Sequence, residues 1–274
     1  MDEVAQYNQH RWEALARTSA LFTRPALQLD ARSARALLDP HGVLGELAGK
    51  VVLCLAGGGG KQSAAFALLG ARVSVLDLSP AQLERDRQVA AHYGVAIETI
   101  HGDMRDLSCF APAAFDVVYQ PYSLNFVPDP WRVFREVARV LRAGGLYRVE
   151  CANPFVLGVT EQDWDGQGYP IKLPYEDGAS LTLADPSWIF PAAQRPAEPP
   201  PPGQVYRHTL GRLVQELVTH GFVLLGIEEH WRPAHGVAPG SWEHFVSVAP
   251  PWLTVSAAYR PDVLSGSAAP RRST

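Results

Sequence analysis

The sequence predicts an α/β fold: a seven-stranded, mostly parallel sheet with helices on both faces, an N-terminal helical lid and an insertion after the fifth strand. Three observations carry this. Residues 50–151 alternate short apolar runs with helical segments, the order that gives parallel strands joined by crossover helices. Four consecutive glycines, residues 57–60, stand between the first apolar run and the first of those helices. Two more apolar runs, near 222–228 and 253–260, complete the sheet after a long gap.

Residues 1–48 read as a helical segment in which Tyr7, Arg11, Trp12 and Leu15 fall near one face at three-to-four spacing. KVVLCL, 50–55, is a continuous apolar run suited to a central strand covered on both sides. KQSAAFALL, 61–69, has helical composition and stops at Gly70. RVSVLD, 72–77, is the second strand. Ser79-Pro80 then offers an N-cap, with proline in the first turn of a helix that runs to Tyr93 and stops at Gly94. The next strands are AIETIH (96–101), FDVVYQ (115–120) and LYRVEC (146–151), the last preceded by a helix over 130–142 closed by Gly144-Gly145. HTLGRLVQELVTH, 208–220, is amphipathic and ends at Gly221; FVLLGIE (222–228) and LTVSAAYR (253–260) are the sixth and seventh strands. Residues 154–206 hold a hairpin, IKLPYEDGASLTL, turning around Asp177-Gly178, and a stiff proline-rich loop, PAAQRPAEPPPPGQ. The final SGSAAPRRST has the composition of a disordered tail.

Composition narrows the function. With 274 residues, 47% hydrophobic and 19% charged, the chain can build one sizeable core with additions. A net charge of −4 and scattered Lys and Arg leave no basic surface for nucleic acid, so a small-molecule partner is expected. No apolar run approaches the roughly 20 residues of a membrane span. MDEVAQYNQHRWEALAR is polar and amphipathic, unlike a secretory signal. A cytoplasmic protein with no membrane partner and with reduced thiols at Cys54, Cys109 and Cys151 is expected, in an oligomeric state the sequence does not specify. His10, His101, His208, His235 and His244 lack HxxxH or related spacing, and no metal is expected.

The glycine loop separates three ligand classes. A P-loop needs GxxxxGK followed by Ser or Thr to hold magnesium; here Gln62 follows Gly60-Lys61, and the first glycine position is Leu55. A dinucleotide loop needs a third glycine in GxGxxG for close packing around pyrophosphate; counted from Gly57 or Gly58, that position is Gln62 or Ser63. The third class is a nucleoside carrying an amino acid in place of phosphates. There the glycines let backbone lie against the ligand, and the following helix N-terminus receives a carboxylate; Lys61 and Gln62 are compatible with that. The stretches VVLCLAGGGG, VSVLDLSPAQLERDR, HGDMRDL and FDVVYQPYSLNFVPDPWRVFREVARVLRAGG, in order over residues 50–151, resemble the core of the class I S-adenosylmethionine-dependent methyltransferases, of small-molecule type. An NAD(P)-dependent oxidoreductase and a non-catalytic sensor of S-adenosylmethionine or S-adenosylhomocysteine are the alternatives.

The resemblance implies a Rossmann-like fold, S-adenosyl-L-methionine as cofactor and S-adenosyl-L-homocysteine as product. It places Ala56, Gly57, Gly58 and Gly60 in the cofactor loop and Asp77 on both ribose hydroxyls, with Leu78 and Gln82 alongside. Asp103 is then expected to accept from the adenine exocyclic amine, Met104 to offer its backbone, and Gln120 to face the methionine end. One place departs from the family pattern. Where an acidic residue ends strand one and a glycine follows two positions later, this chain has Cys54 and Ala56, so the cofactor's amino group is expected to use loop carbonyls or Gln120. The aspartates of RDRQ and PDPW read as solvated or capping residues. The implied organisation is a lid over 1–48, a cofactor-binding core over 49–153, a substrate-side insertion over 154–206, the rest of the core over 207–260 and a flexible tail over 261–274.

Methyl transfer asks mainly for alignment of acceptor with methyl and exclusion of water. A base is needed only where the acceptor holds a proton. Tyr122 and Asn125 follow the fourth strand at the carboxyl edge, where open α/β sheets place ligands. Tyr7, Arg11 and Trp12 suit an N-terminal lid or, equally, a packed surface helix. His208, in YRHT, resembles the segment that returns the chain to the pocket in related small-molecule enzymes. It is a candidate base beside Tyr122 and Tyr7, with a capping or packing role as the other reading. Trp164, Tyr169, Tyr175 and Trp188 bring aromatics to the insertion; Trp164 and Tyr175 are assigned to the acceptor wall, though the set equally suits the insertion's own small core. Cys54 and Cys151 end central strands and read as small apolar residues.

Overall fold

The computed structural model describes residues 1–183, 189–190, 196, 198–233 and 235–265. Helix α1 (Glu3–Arg17) starts at Asp2, whose carboxylate accepts from Ala5 N–H, and α2 (Ala31–Leu38) starts at a capping box formed by Asp30 and Ser33. The chain then alternates through β1 (Val51–Leu55), α3 (Gln62–Leu68), β2 (Arg72–Asp77), α4 (Pro80–Tyr93) and β3 (Ile97–His101). It continues through β4 (Phe115–Gln120), α5 (Pro130–Val140) and β5 (Leu141–Ala152). A small hairpin of β6 (Ser180–Leu183) and β7 (Gly203–Tyr206) precedes α6 (Leu210–Thr219), β8 (Phe222–Glu229), α7 (Trp242–Val248), β9 (Trp252–Tyr259) and α8 (Pro261–Ser265).

The main sheet has seven strands in the order β3-β2-β1-β4-β5-β9-β8. β3, β2, β1, β4 and β5 are parallel, and β9 runs antiparallel to both of its neighbours. The expected sheet is therefore present. One face is sealed by Val133, Phe134 and Val137 of α5 and by Leu213 and Leu217 of α6. The other is sealed by Ala34 and Leu38 of α2, Ala65 and Phe66 of α3, and Leu83 of α4. β1 lies between these layers with four of its five residues buried, which is why it is wholly apolar.

Two local expectations are corrected. The helix expected to run to residue 142 stops at Val140, and Gly144-Gly145 belongs to β5, where the register with β4 shifts between the pairs Phe115↔Leu141 and Val117↔Leu146. Gly144 at φ 81° marks that irregularity, so the glycines bend a strand instead of closing a helix. The hairpin expected around Asp177-Gly178 does not form, because β6 pairs with β7 and not with residues 171–175. Pro174 has no N–H to offer a ladder. Gly178 N–H instead donates to Arg207 O, and Arg207 N–H donates to Ala179 O, extending the β6–β7 pairing. Residues 266–274 of the expected tail, and part of the proline-rich loop, lie outside the described residues. No described helix is long and apolar enough to cross a membrane.

Phe134 is fully buried on α5 with its ring edge-on to Tyr147 at 6.1 Å. Phe134→Ala is expected to cost about 3–5 kcal/mol of unfolding free energy, measured by urea denaturation.

Candidate active site

β1, β2 and β4 end at one edge of the sheet, where parallel strands leave a crevice for ligands. The chain leaves β1 through Ala56, held at φ 47°. The glycines that follow are explained by what lies against them. A Cβ on Gly58 would stand 2.7 Å from Gln82 Cβ and 2.9 Å from the Asp77 carboxyl, and one on Gly60 would stand 2.8 Å from the Arg85 carbonyl oxygen. Gly59 and Gly60 also hold φ of 112° and 72°, a region that disfavours side chains. The loop backbone therefore lies directly on Asp77 and α4.

Asp77 Oδ2 accepts from Gly58 N–H and Oδ1 from Ser79 N–H, each at 2.9 Å. A carboxylate has about four acceptor positions, so one stays open on each oxygen, the pattern that two ribose hydroxyls require. Burial pushes the Asp77 carboxyl up, with those two N–H donors opposing. Gln82 is buried, and its Oε1 has no hydrogen-bond partner among the described residues. That oxygen lies 3.4 Å from where a Cβ on Gly59 would be. An orphaned acceptor and a half-used carboxylate beside bare backbone fit a ligand rich in hydroxyl and amine donors, such as S-adenosylmethionine. The Leu78 carbonyl closes the edge by accepting from His101 Nε2 at 2.9 Å.

The remaining cofactor candidates are more constrained. Arg105 donates to both oxygens of Asp103, with Nη2 to Oδ2 at 2.7 Å, and its Nη2 also reaches Asp2 at 2.7 Å. Asp103 is thus held in an ion cluster that the expected adenine contact would have to share. Met104 Sδ accepts from Gln120 Nε2 at 3.3 Å, Ser123 Oγ accepts from the same nitrogen at 2.9 Å, and Gln120 Oε1 accepts from Tyr147 OH. The Gln120 side chain is turned into the core and satisfied there, leaving its backbone at the edge.

Helix α1 roofs this edge. Glu13 Oε1 accepts from Ser79 Oγ at 2.8 Å and from Ala81 N–H at 3.0 Å, capping the start of α4 beside Asp77. Asn8 Nδ2 donates to Phe126 O at 2.8 Å, Tyr7 OH donates to Pro202 O at 2.8 Å, and Arg11 Nη1 donates to Pro201 O. Trp12 meets Phe126 edge-on at 5.5 Å, and Phe126 meets Tyr122 at 5.8 Å. Tyr7, Arg11, Trp12 and Tyr122 are therefore brought together. Burial raises the Tyr122 phenol further above its ordinary range, so it stays protonated.

Other acceptor candidates are not gathered there. Asn125 ties strand ends together, accepting from Ala152 N–H at 2.7 Å and donating to Tyr206 O at 2.9 Å. His208 is buried with Nε2 3.3 Å from Leu124 O, and burial pushes its imidazole below the usual range, as in a packing histidine. Trp164 packs with Tyr169 and His244 at 5.2 and 4.7 Å beside α7, while Tyr175 stacks on Phe155 at 4.8 Å and accepts from Leu210 N–H. These aromatics build the insertion's own packing. Trp188 lies outside the described residues.

Asp86, the aspartate of RDRQ, is not solvated. It is 0% exposed and accepts from Gly59 N–H at 3.0 Å, Gly60 N–H at 3.1 Å and Ser63 Oγ. The buried positions of α4 are Gln82, Leu83, Asp86 and Val89, a helical face that the flanking Arg85 and Arg87 obscure in the sequence. Asp129 of PDPW does sit at a helix start, but its side chain makes no cap bond and pairs with Arg132 and Arg105. Arg105 and Glu13 were both missed by sequence reasoning: Glu13 bonds to Ser79, 66 residues away, and Arg105 joins neighbouring Asp103 to Asp2, 103 residues away, so neither bridge has a local signal.

A family model described as "Methyltransferase domain" matches residues 53–149. An uncharacterized methyltransferase of Bacillus subtilis, YbaJ, is 33% identical over 181 residues, covering 66% of this chain and 69% of that protein. A ubiquinone biosynthesis O-methyltransferase of Xanthomonas euvesicatoria is 31% identical over 145 residues, 53% of this chain and a little over half, 57%, of its own length. Among solved structures, a putative S-adenosylmethionine-dependent methyltransferase from Listeria monocytogenes superposes with a TM-score of 0.60 at 19% identity, covering 84% of this chain and 100% of that one.

Gly58→Ala places a carbon where Gln82 and Asp77 already stand. It is expected to weaken S-adenosylhomocysteine binding at least ~10-fold by calorimetry; unchanged affinity would show that the loop and Asp77 do not form one site.

Proposed function

The chain belongs to the class I S-adenosylmethionine-dependent methyltransferases, and on that premise we propose that it methylates a small molecule held between α1, the 154–206 insertion and the carboxyl edge of the sheet. The observation that carries the size of the acceptor is the roof: three α1 side chains bond across the edge to Phe126, Pro201 and Pro202, so α1 covers the edge where a macromolecule would need an open face. The ubiquinone enzymes' name is in keeping with a small acceptor. The division into lid, core and insertion is part of the same proposal.

When bound, the cofactor supplies an electrophilic methyl group on a sulfonium. The chain's own residues bind and align. Asp77 takes the ribose hydroxyls on its two open acceptor positions, Gln82 Oε1 takes a further donor, and the glycine loop lies against the amino-acid end. Asp103 and Met104 flank the base, with Arg105 fixing the Asp103 carboxylate. On the acceptor side Trp12, Phe126 and Tyr122, set edge-on to one another, offer an aromatic lining that excludes water and suits an acceptor with an apolar ring or chain. The protonated Tyr122 hydroxyl orients the acceptor as a hydrogen-bond donor and does not serve as its base. In-line displacement then depends on positioning, and an acidic acceptor loses its proton to solvent or to a neighbouring base.

Cell extract incubated with methyl-labelled S-adenosylmethionine and the protein is expected to yield label in a low-molecular-mass product; label confined to protein or nucleic acid would refute the small-molecule reading. Asp77→Ala removes two charge-assisted acceptors and is expected to weaken S-adenosylhomocysteine binding ~30-fold or more in calorimetry.

A further inference from the structure

We infer that Asp86 is the positioning residue of the cofactor loop: from α4 it supplies the carboxylate that β1 lacks at Cys54, and it holds residues 59–63 in the shape that receives S-adenosylmethionine. The inference rests on assigning the glycine loop to the cofactor, as above.

Four observations converge on this carboxyl. Its two oxygens take Gly59 N–H, Gly60 N–H and Ser63 O–H, so both positive-φ glycines and the first turn of α3 hang on one group. Gly59 N–H also donates to Gln82 O at 3.1 Å, one turn earlier on the same helix, so α4 grips the loop at two levels. A Cβ on Gly60 would stand 2.9 Å from Val89 Cγ1 as well as against Arg85 O, so backbone and helix are in direct contact and nothing else fits between them. Last, Gln82 and Asp86 are four residues apart on one face: the first presents a free oxygen beside the loop, and the second fixes the loop that the ligand meets.

The ionised carboxylate accepts from all three donors; a protonated one turns one oxygen into a donor and gives up part of the grip. Burial pushes the Asp86 carboxyl up to about 7, with the Ser63 hydroxyl and the two loop N–H groups opposing, so the change falls in the neutral range. Several titratable groups face this centre. Asp77 at the end of β2 raises Asp86 through its own charge, and Cys54 on β1 is held protonated by burial and by Asp86. On the remaining elements, Lys61 stands at the start of α3, while the Arg85 guanidinium beside Asp86 on α4 turns away to Ala16 O. Asp77 also titrates with an upward shift, so pH dependence alone does not identify Asp86, and variants are required.

S-adenosylhomocysteine affinity is measured by calorimetry from pH 6 to pH 8.5 on the full-length protein, with melting curves at each pH. Wild type is expected to bind ~10-fold more tightly at the upper end, because ionised Asp86 organises the loop. Asp86→Asn offers one acceptor oxygen and sets an amide against a loop N–H; it is expected to bind ~10-fold more weakly than wild type at pH 8 and to lose the step. Ser63→Ala removes a donor that favours the carboxylate, so the step is expected to move to higher pH, a change that simple loosening of the fold does not produce. Wild-type affinity and an unaltered step in Asp86→Asn overturn the inference. If that variant fails to melt cooperatively, an unmoved step in Ser63→Ala overturns it. Failure of the wild type to bind S-adenosylhomocysteine at all refutes the loop assignment itself, a distinct result.

Discussion

The backbone of the glycine loop lies so close to α4 and Asp77 that carbon atoms no larger than a methyl group have no place at Gly58 or Gly60. Much else follows from that contact. The helix meets the loop's N–H groups with acceptors on that face, Gln82 through its backbone carbonyl and Asp86 through its carboxylate. The helix also has to start at a fixed height, which Ser79 sets by capping Gln82 N–H and Glu13 reinforces from α1. Helix start, glycine loop and Asp77 thus form one rigid body at the end of the parallel strands.

Placing the acid on a helix instead of on β1 has a packing rationale. β1 is an interior strand of the sheet, pairing with β2 on one side and β4 on the other, and is sealed on both faces. A carboxylate on the strand at Cys54 would sit among Val52, Val75 and Phe66 in the apolar layer, where a charge lacking dedicated partners is costly. On α4 the same charge meets three donors, Gly59 N–H, Gly60 N–H and the Ser63 hydroxyl, in a buried loop whose polar groups need acceptors.

The sheet was legible because strand, glycine stop and helix alternate in the sequence with buried β1 reading as an uninterrupted apolar run. The contact between the glycine loop and Asp77 was legible for the same reason, as neighbours in a single βαβ unit. What the sequence concealed is polar chemistry whose partners are remote or whose neighbours mislead. Asp86 stands between two arginines and resembles a solvated run, although its four-residue spacing from Gln82 sets both on the buried face. Gln120 and Asn125 sit at the strand edge as a ligand-binding residue should, yet Tyr147, Ser123, Ala152 and Tyr206 claim their polar atoms from other elements. The hairpin failed because the partner of residues 180–183 comes from 203–206, beyond a proline-rich stretch that hides the pairing. The dinucleotide alternative gives way to the family match.

Cradle and roof differ in how far along the chain their bonds reach. Gly58–Asp77, Ser63–Asp86 and Gly59–Asp86 span 19, 23 and 27 residues, whereas the α1 contacts span 66 to Ser79, 118 to Phe126 and 195 to Pro202. Closing loops of the longer kind costs up to about 2 kcal/mol more chain entropy per closure. The roof repays this with a few bonds, some at exposed atoms. The roof thus depends on pairings remote in sequence and the cradle on near ones. Whatever lies beneath α1 is thereby bounded by the N-terminal helix and by a partner 195 residues further along the chain.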